Sequence, residues 1–322
     1  MATEASSSSI SKKQLNPTDE QIERITGKIS QVRKRISQAS TDAKREKEPR
    51  LVAISKLHPP TSILAAHKYC QPAQLHFGEN YAQELEAKAK VLPESINWHF
   101  VGKLQSNKAK LVASIPNLFL IETLDSIKLA NALEKVRAGL QDARPLGVYV
   151  QVNTSGEENK GGLSPLQSEG EADQSEVYKL AVHVIQECQH LQLKGVMTIG
   201  AATNSQASKE KGNVGDSDKS AEEIAAEARS VNPDFDTLYT TRQVLVNALR
   251  KNESLNSAKD RYPALLSGDE KGGLELSMGM SNDLEVAVRA GSENVRVGTD
   301  CFGVRAPSRD EAMEAMKDEL EV

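Results

Sequence analysis

Eight short apolar runs are spread along this chain, and segments of helical periodicity separate most of them. The runs are Leu51–Ser55, Leu75–Phe77, Trp98–Val101, Leu118–Ile121, Leu146–Val152, Leu193–Ile199, Leu274–Ser277 and Val295–Val297. Each has the length and the branched or aromatic content of a buried strand. Between them, Tyr81–Val91, Ser126–Ala138, Ser175–Gln189 and Asn282–Ala290 repeat apolar residues at helix spacing, and Gly291 supplies a C-cap. Apolar strands that alternate with helices belong in a parallel sheet covered by those helices. Eight of them predict an α/β fold, a single (β/α)8 TIM-type barrel. A doubly wound open sheet is the runner-up, because alternation alone does not require closure. The dinucleotide-binding version of that sheet is disfavoured, since no Gly-x-Gly-x-x-Gly turn follows the first strand.

The flanks add detail. Thr18 is a helix N-cap with Gln21 three residues on, and Ile22, Ile25, Ile29, Val32 and Ile36 follow at helix spacing. This predicts an extra N-terminal helix covering one end or side of the barrel. Residues 1–17, with four consecutive serines, read as a disordered extension, which leaves 18–322 for the barrel. One polar stretch, about 203–236, breaks the rhythm and is expected to be a mobile surface insertion before a helix at Thr237–Leu249. A second, Lys251–Asp260, interrupts the approach to the seventh strand.

Composition excludes several classes of function. A net charge of -5 gives no basic field for nucleic acid. No apolar stretch is long enough for a membrane span. Met1–Ser11 has no apolar core, so it is not a secretory signal. Glu4 and the lack of an early arginine argue against a mitochondrial presequence without excluding one, and the cytoplasm is expected. Cys70, Cys188 and Cys301 are odd in number and far apart, which argues against disulfides or a zinc site.

In a barrel of this kind the chemistry gathers at the carboxyl ends of the strands. The first strand ends in Lys56, followed by Leu57-His58-Pro59-Pro60. A desolvated lysine there can lose its proton near neutral pH and attack a carbonyl to form a Schiff base. The ordinary alternative is a lysine that snorkels to solvent. The seventh strand ends in Ser277-Met278-Gly279-Met280-Ser281, with Ser281 read as the cap of the next helix and its amides as phosphate donors. The eighth ends in Arg296-Val297-Gly298-Thr299, where Gly298 and Thr299 offer amides and a hydroxyl. In a closed barrel the eighth strand lies beside the first, so lysine and phosphate donors face one ligand. That ligand is pyridoxal 5'-phosphate or an aldolase-type sugar phosphate. Arg296 favours the former: a guanidinium against a pyridine nitrogen keeps that nitrogen unprotonated and weakens the ring as an electron sink. His99 is read as a satisfied core residue, and Glu79 and Glu122 are candidates to pair with Lys103 or Lys108.

Seven ordered segments resemble the pyridoxal phosphate homeostasis protein family. They are Leu51–Lys56, His76-Phe77-Gly78-Glu79-Asn80-Tyr81, Trp98–Lys108, Asn159-Lys160-Gly161-Gly162-Leu163, Gly195–Ile199, Leu276–Ser281 and Val295–Thr299. The resemblance covers about Leu51 to Gly303. It implies the barrel of the alanine racemase N-terminal domain and pyridoxal phosphate held through a lysine matching Lys56. It also implies buffering or delivery of that cofactor to apo pyridoxal-phosphate enzymes, without robust catalysis. The candidate cofactor set is Lys56, Asn80, Met197, Ser277, Ser281, Arg296, Gly298 and Thr299, with no metal. The chain departs from the family at Leu57-His58 and at Asp300-Cys301. About twenty residues follow Gly303, too few for the second domain that a racemase uses. A monomer is therefore expected, and a racemase or a Schiff-base lyase stands as the alternative function.

Overall fold

The Thr18 hydroxyl accepts the Gln21 amide at 3.2 Å and opens helix α1 (Asp19–Asp42). Ile25, Ile29, Val32 and Ile36 face inward from it, as their spacing predicts. The computed structural model describes residues 15–141, 144–158, 160–211, 218–266 and 273–320. Most of the disordered extension expected at 1–17, the middle of the 203–236 stretch and Asn159 lie outside the described residues.

The chain continues through β1 (Arg50–Ile54), α2 (Pro60–Tyr69), β2 (His76–Glu79), α3 (Ala82–Val91), β3 (Asn97–Phe100), α4 (Ala109–Ala113) and β4 (Leu118–Leu124). Next come α5 (Ile127–Ala138), β5 (Leu146–Gln151), α6 (Glu176–Glu187) and β6 (Leu191–Met197). Four helices follow: α7 (Ala202–Lys211), α8 (Ala221–Val231), α9 (Pro233–Lys251) and the single turn α10 (Pro263–Leu266). The last part is β7 (Glu275–Ser277), α11 (Leu284–Arg289), β8 (Asn294–Val297), α12 (Thr299–Phe302), α13 (Arg309–Ala315) and α14 (Lys317–Leu320).

The eight strands close in chain order into one parallel barrel. Closure is made by β1 and β8, with Leu51 opposite Val295 and Ala53 opposite Val297. The open-sheet alternative is thereby excluded. Closure also removes both sheet edges, so no backbone row is left unpaired. One apolar layer lies between the strands and the surrounding helices; Val101, Leu120, Tyr149 and Met197 form a smaller cluster with Ile54 and Phe119. Helix α1 packs against α2, α11 and α12, so the extra helix covers the side where the barrel closes.

The stretch at 203–236 differs from expectation. Its described parts are helices α7 and α8 and the start of α9. Ser220 and Glu223 make a reciprocal capping box at the start of α8, and Ile224 and Ala228 are buried. Asn232 caps α9, with Pro233 at its first position. Asp234 is buried and accepts from the Thr154 hydroxyl at 2.7 Å and the Ala201 amide at 2.7 Å. The stretch therefore fastens the loops after β5 and β6. Local polarity hid this, because the apolar positions are few and the buried acid finds its donors far away in sequence.

Candidate functional site

A cavity of about 450 Å³ opens at the carboxyl ends of β1, β7 and β8. Lys56, Ser281, Arg296, Gly298 and Thr299 line it together. A larger groove of about 890 Å³ lies beneath the opposite end, between α1 and the start of β2, away from these residues.

Lys56 lies two residues past the end of β1, after Ser55, and is half-buried. Among the described residues its amine has neither a hydrogen bond nor an ion pair. Burial lowers its proton affinity, and the Arg305 guanidinium lowers it further, while Glu79 and Glu84 oppose. All four effects follow from placement at a strand end: burial disfavours the ammonium, a cation repels it and carboxylates hold it. His58, one turn on, stacks near Phe302 with ring centroids 5.1 Å apart. Burial pushes its imidazole down to about 4, with Lys88, Arg24 and Arg305 adding to the effect.

The loop after β7 turns at Gly279, whose φ of 95° is left-handed, and a Cβ there would sit 2.3 Å from the Ala287 Cβ. Ser281 does not cap the following helix. That helix starts at Leu284 behind Asp283, whose carboxylate accepts the Met280 amide at 2.6 Å and also the Ser205 hydroxyl. Residues 281–283 form a turn because the Asp283 side chain closes on the loop. Helix α11 has only six residues and α12 four, so the helix-dipole argument for phosphate does not carry over. What the loops do present is backbone: the Ser281, Asn282 and Thr299 amides have no acceptor among the described residues. Arg35 on α1 holds both loops in place. It donates to the Ser281 carbonyl at 3.2 Å, to Glu285 at 2.6 Å and to Asp300 at 2.6 Å, so one guanidinium is shared between two carboxylates beside the cavity.

Arg296 reaches the cavity from inside the barrel and is almost wholly buried. It donates to the Thr198 carbonyl at 2.6 Å and to the Ser277 hydroxyl. Ser277 and Met197 are fully buried beneath the cavity and are not among its lining residues. Ser277 instead orients Arg296. Asn80 also stays outside the lining; its carbonyl lies where a Cβ on Gly102 would fall, at 2.4 Å. Sequence reasoning passed over His58, Ala202, Ser205 and Arg305, which do line the cavity. A signal for Arg305 exists in Gly303, whose φ of 90° ends α12 and turns the chain back across the opening. The partners differ from those expected: Glu79 forms an ion pair with Lys88 at 2.8 Å, and Glu122 a hydrogen bond with His99 Nδ1 at 2.8 Å, burial holding that imidazole's proton affinity down. Among the described residues no group of His, Cys, Asp or Glu is placed to hold a metal. No helix among them is long and apolar enough to cross a membrane.

No family model matches the chain. A protein of Schizosaccharomyces pombe named pyridoxal phosphate homeostasis protein is 40% identical over 255 residues, 79% of this chain and 84% of that protein. The human protein of the same name is 35% identical over 285 residues, 85% of each chain. The chain belongs to the pyridoxal phosphate homeostasis protein family. Among solved structures, PipY of Synechococcus elongatus with PLP bound is 27% identical with a TM-score of 0.54, covering 87% of this chain and 100% of that one. Alanine racemase of Clostridium difficile, at 14% identity and a TM-score of 0.51, covers 88% of this chain and 58% of its own, and shows the shared barrel alone. In this member of the family an unpaired lysine, loop amides and a buried arginine lie around one opening.

Proposed function

We propose that the chain binds pyridoxal 5'-phosphate in the cavity at the carboxyl end of the barrel, with Lys56 joined to its aldehyde as a Schiff base. The observation that carries this is the convergence in one cavity of an unpaired, half-buried amine, unpaired loop amides and the Arg296 guanidinium. A volume of about 450 Å³ suits a small ligand of this size. The amides of Ser281, Asn282 and Thr299, with the hydroxyls of Ser281 and Thr299, would hold the phosphate. Arg305 adds positive charge at the opening. Arg296, fixed by Ser277 and Thr198, would face the ring and donate to its nitrogen. The bound group supplies an aldehyde open to amine attack and a ring able to accept electrons. The residues around it do little to exploit the ring. A cationic guanidinium keeps the ring nitrogen unprotonated. His58, pushed down to about 4 by burial, is neutral at pH 7 and a poor proton donor.

The function that follows is storage and handover of the cofactor to apo-enzymes, in preference to turnover of an amino acid. The test is the visible absorption of the protein mixed with pyridoxal phosphate, in wild type and Lys56→Ala. The expected outcome is a lysine-bound band in wild type that Lys56→Ala loses. Mixing the loaded protein with a cofactor-free pyridoxal-phosphate enzyme should then restore that enzyme's activity. Steady racemisation or cleavage of an amino acid by the loaded protein alone would instead select the racemase or lyase reading.

A further inference from the structure

Behind Lys56, on the outer side of the barrel wall, β2 and α3 bring together three ionisable side chains with no solvent exposure. The Lys88 ammonium donates to Glu79 Oε1 at 2.8 Å, to Glu84 Oε1 at 2.6 Å and to the Ser55 carbonyl at 2.9 Å. Glu84 Oε1 also accepts the Leu57 amide at 2.6 Å, and Glu79 Oε1 accepts the Ser55 hydroxyl at 2.7 Å. The peptide is thus gripped on both sides of Lys56. Leu57 has a φ of 63°, a left-handed conformation that a bulky residue rarely adopts. The Glu84 contact holds it there, and the His58 amide closes the turn onto the Ser55 carbonyl at 3.1 Å. Such strain persists only where the surroundings over-determine it.

The charge count is the second observation. Two carboxylates and one ammonium leave one surplus negative charge in a space closed to water. Glu79 Oε2 and Glu84 Oε2 are buried without a hydrogen-bond partner. A buried ionised oxygen with no donor is costly, and one added proton removes the surplus charge. Burial pushes the Glu79 carboxyl up to about 7, against the pull of Lys88, and the Glu84 charge pushes the same way.

We propose that Glu79, Glu84 and Lys88 are the positioning residues of Lys56, and that a proton taken up or released by Glu79 sets how readily the Lys56 amine becomes the neutral nucleophile. This rests on the reading of Lys56 as the cofactor anchor. Glu79 and Glu84 act on Lys56 from behind the wall and Arg305 from the loop after α12. His58 lies on its own turn and Arg296 within the same cavity. With Glu79 protonated, Glu84 and Lys88 cancel and Lys56 gives up its proton more easily. With Glu79 ionised, the surplus negative charge holds that proton. As pH rises past neutrality the triad therefore delays deprotonation of Lys56 and broadens its response.

The first test is competitive acetylation of Lys56 with acetic anhydride, read by mass spectrometry across about pH 5 to 10 in the protein without cofactor. Glu79→Gln keeps the shape of a neutral carboxyl, so the fold is retained. Its Lys56 midpoint should fall by about half to one pH unit and its transition should sharpen, relative to the other labelled lysines of the same digest. The second test is the rate at which pyridoxal phosphate reacts with Glu84→Ala. That rate should fall about tenfold, with competition by inorganic phosphate unchanged, and Glu84→Gln, which keeps the acceptor oxygen, should recover it. An unchanged labelling midpoint in Glu79→Gln overturns the proton role. An unchanged rate in Glu84→Ala overturns the positioning role. A shifted midpoint in a protein whose wild type gives no visible band overturns the cofactor reading and leaves the triad's hold on Lys56 standing.

Discussion

Two buried polar clusters support the cavity, one inside the barrel and one behind its wall, and they answer their charges differently. Inside, both oxygens of Glu122 are partnered: by His99 Nδ1 at 2.8 Å, the Ser277 hydroxyl at 2.7 Å and the Asn294 amide at 3.1 Å, with Arg296 at 3.7 Å. Burial alone would raise this carboxyl, yet the His99 hydrogen bond and the charges of His99 and Arg296 bring it below its ordinary value. His76 extends the chain of contacts, its Nδ1 lying 3.0 Å from His99 Nε2. Behind the wall, one lysine serves two carboxylates and two oxygens go without partners. The difference is in stoichiometry. A buried acid with a full set of donors is locked in its ionised form; one that shares its cation with a second acid titrates near neutrality. The cluster under Arg296 is thus a fixed support. The cluster beside Lys56 is adjustable.

The largest effect that would sharpen this contrast is expected from Lys88→Met. It leaves Glu79 and Glu84 buried without a cation, and a stability loss of about 3–5 kcal/mol should appear in urea unfolding. A loss as small as that of a surface substitution would break the comparison.

The two clusters should next show opposite responses to pH. Glu79 has a folded value of about 7 against an ordinary 4.5, so the folded state holds the extra proton between those values. Its stabilising contribution is complete below about 4.5 and is lost as pH rises toward about 7. Glu122 is shifted the other way, so its contribution is present above the ordinary carboxylate value and is lost as pH falls below it. Urea midpoints measured across this range should therefore diverge from wild type at the neutral end for Glu79→Gln and converge at the acid end for Glu122→Gln. The Glu79 difference is on the order of 3 kcal/mol, about 2.5 pH units at about 1.4 kcal/mol each.

The smallest effects concern the hydroxyls. Ser277→Ala deprives Asn294 and Arg296 of an acceptor and should cost about 1 kcal/mol. Ser55→Ala removes one donor to Glu79 and should cost about 0.5 kcal/mol, with a small further rise in the Glu79 carboxyl. A larger loss at Ser55 than at Ser277 would reverse the proposed order.

The barrel was legible because its signal is local. All eight expected strands are present, and their displacements are instructive. β2 was expected to stop at Phe77 and runs to Glu79, and β4 was expected to stop at Ile121 and runs to Leu124. In both cases the observed strand takes in a glutamate that the apolar run does not include. Each glutamate is buried, because its partners come from another part of the chain. The same reasoning explains the cavity. Lys56, Arg296, Gly298 and Thr299 could be placed together from strand order, since β8 closes against β1. Ser281 joins them as a loop residue and not as a helix cap. Arg305 and Ser205 enter from segments whose composition resembles any exposed loop.

The number and order of strands, the extra helix and the lysine beyond the first strand are written in local patterns of residues. Periodicity and chain termination by proline are properties of neighbouring residues, so they can be read without the fold. Tertiary structure alone decided which buried charges are answered. Glu122 meets Asn294 across 172 positions, and Lys88 reaches the Ser55 carbonyl across 33. Those pairings exist only once the barrel has closed and α3 has packed against it. They depend on three-dimensional proximity in a space that excludes water, where an unpaired charge is costly and a paired one can stay.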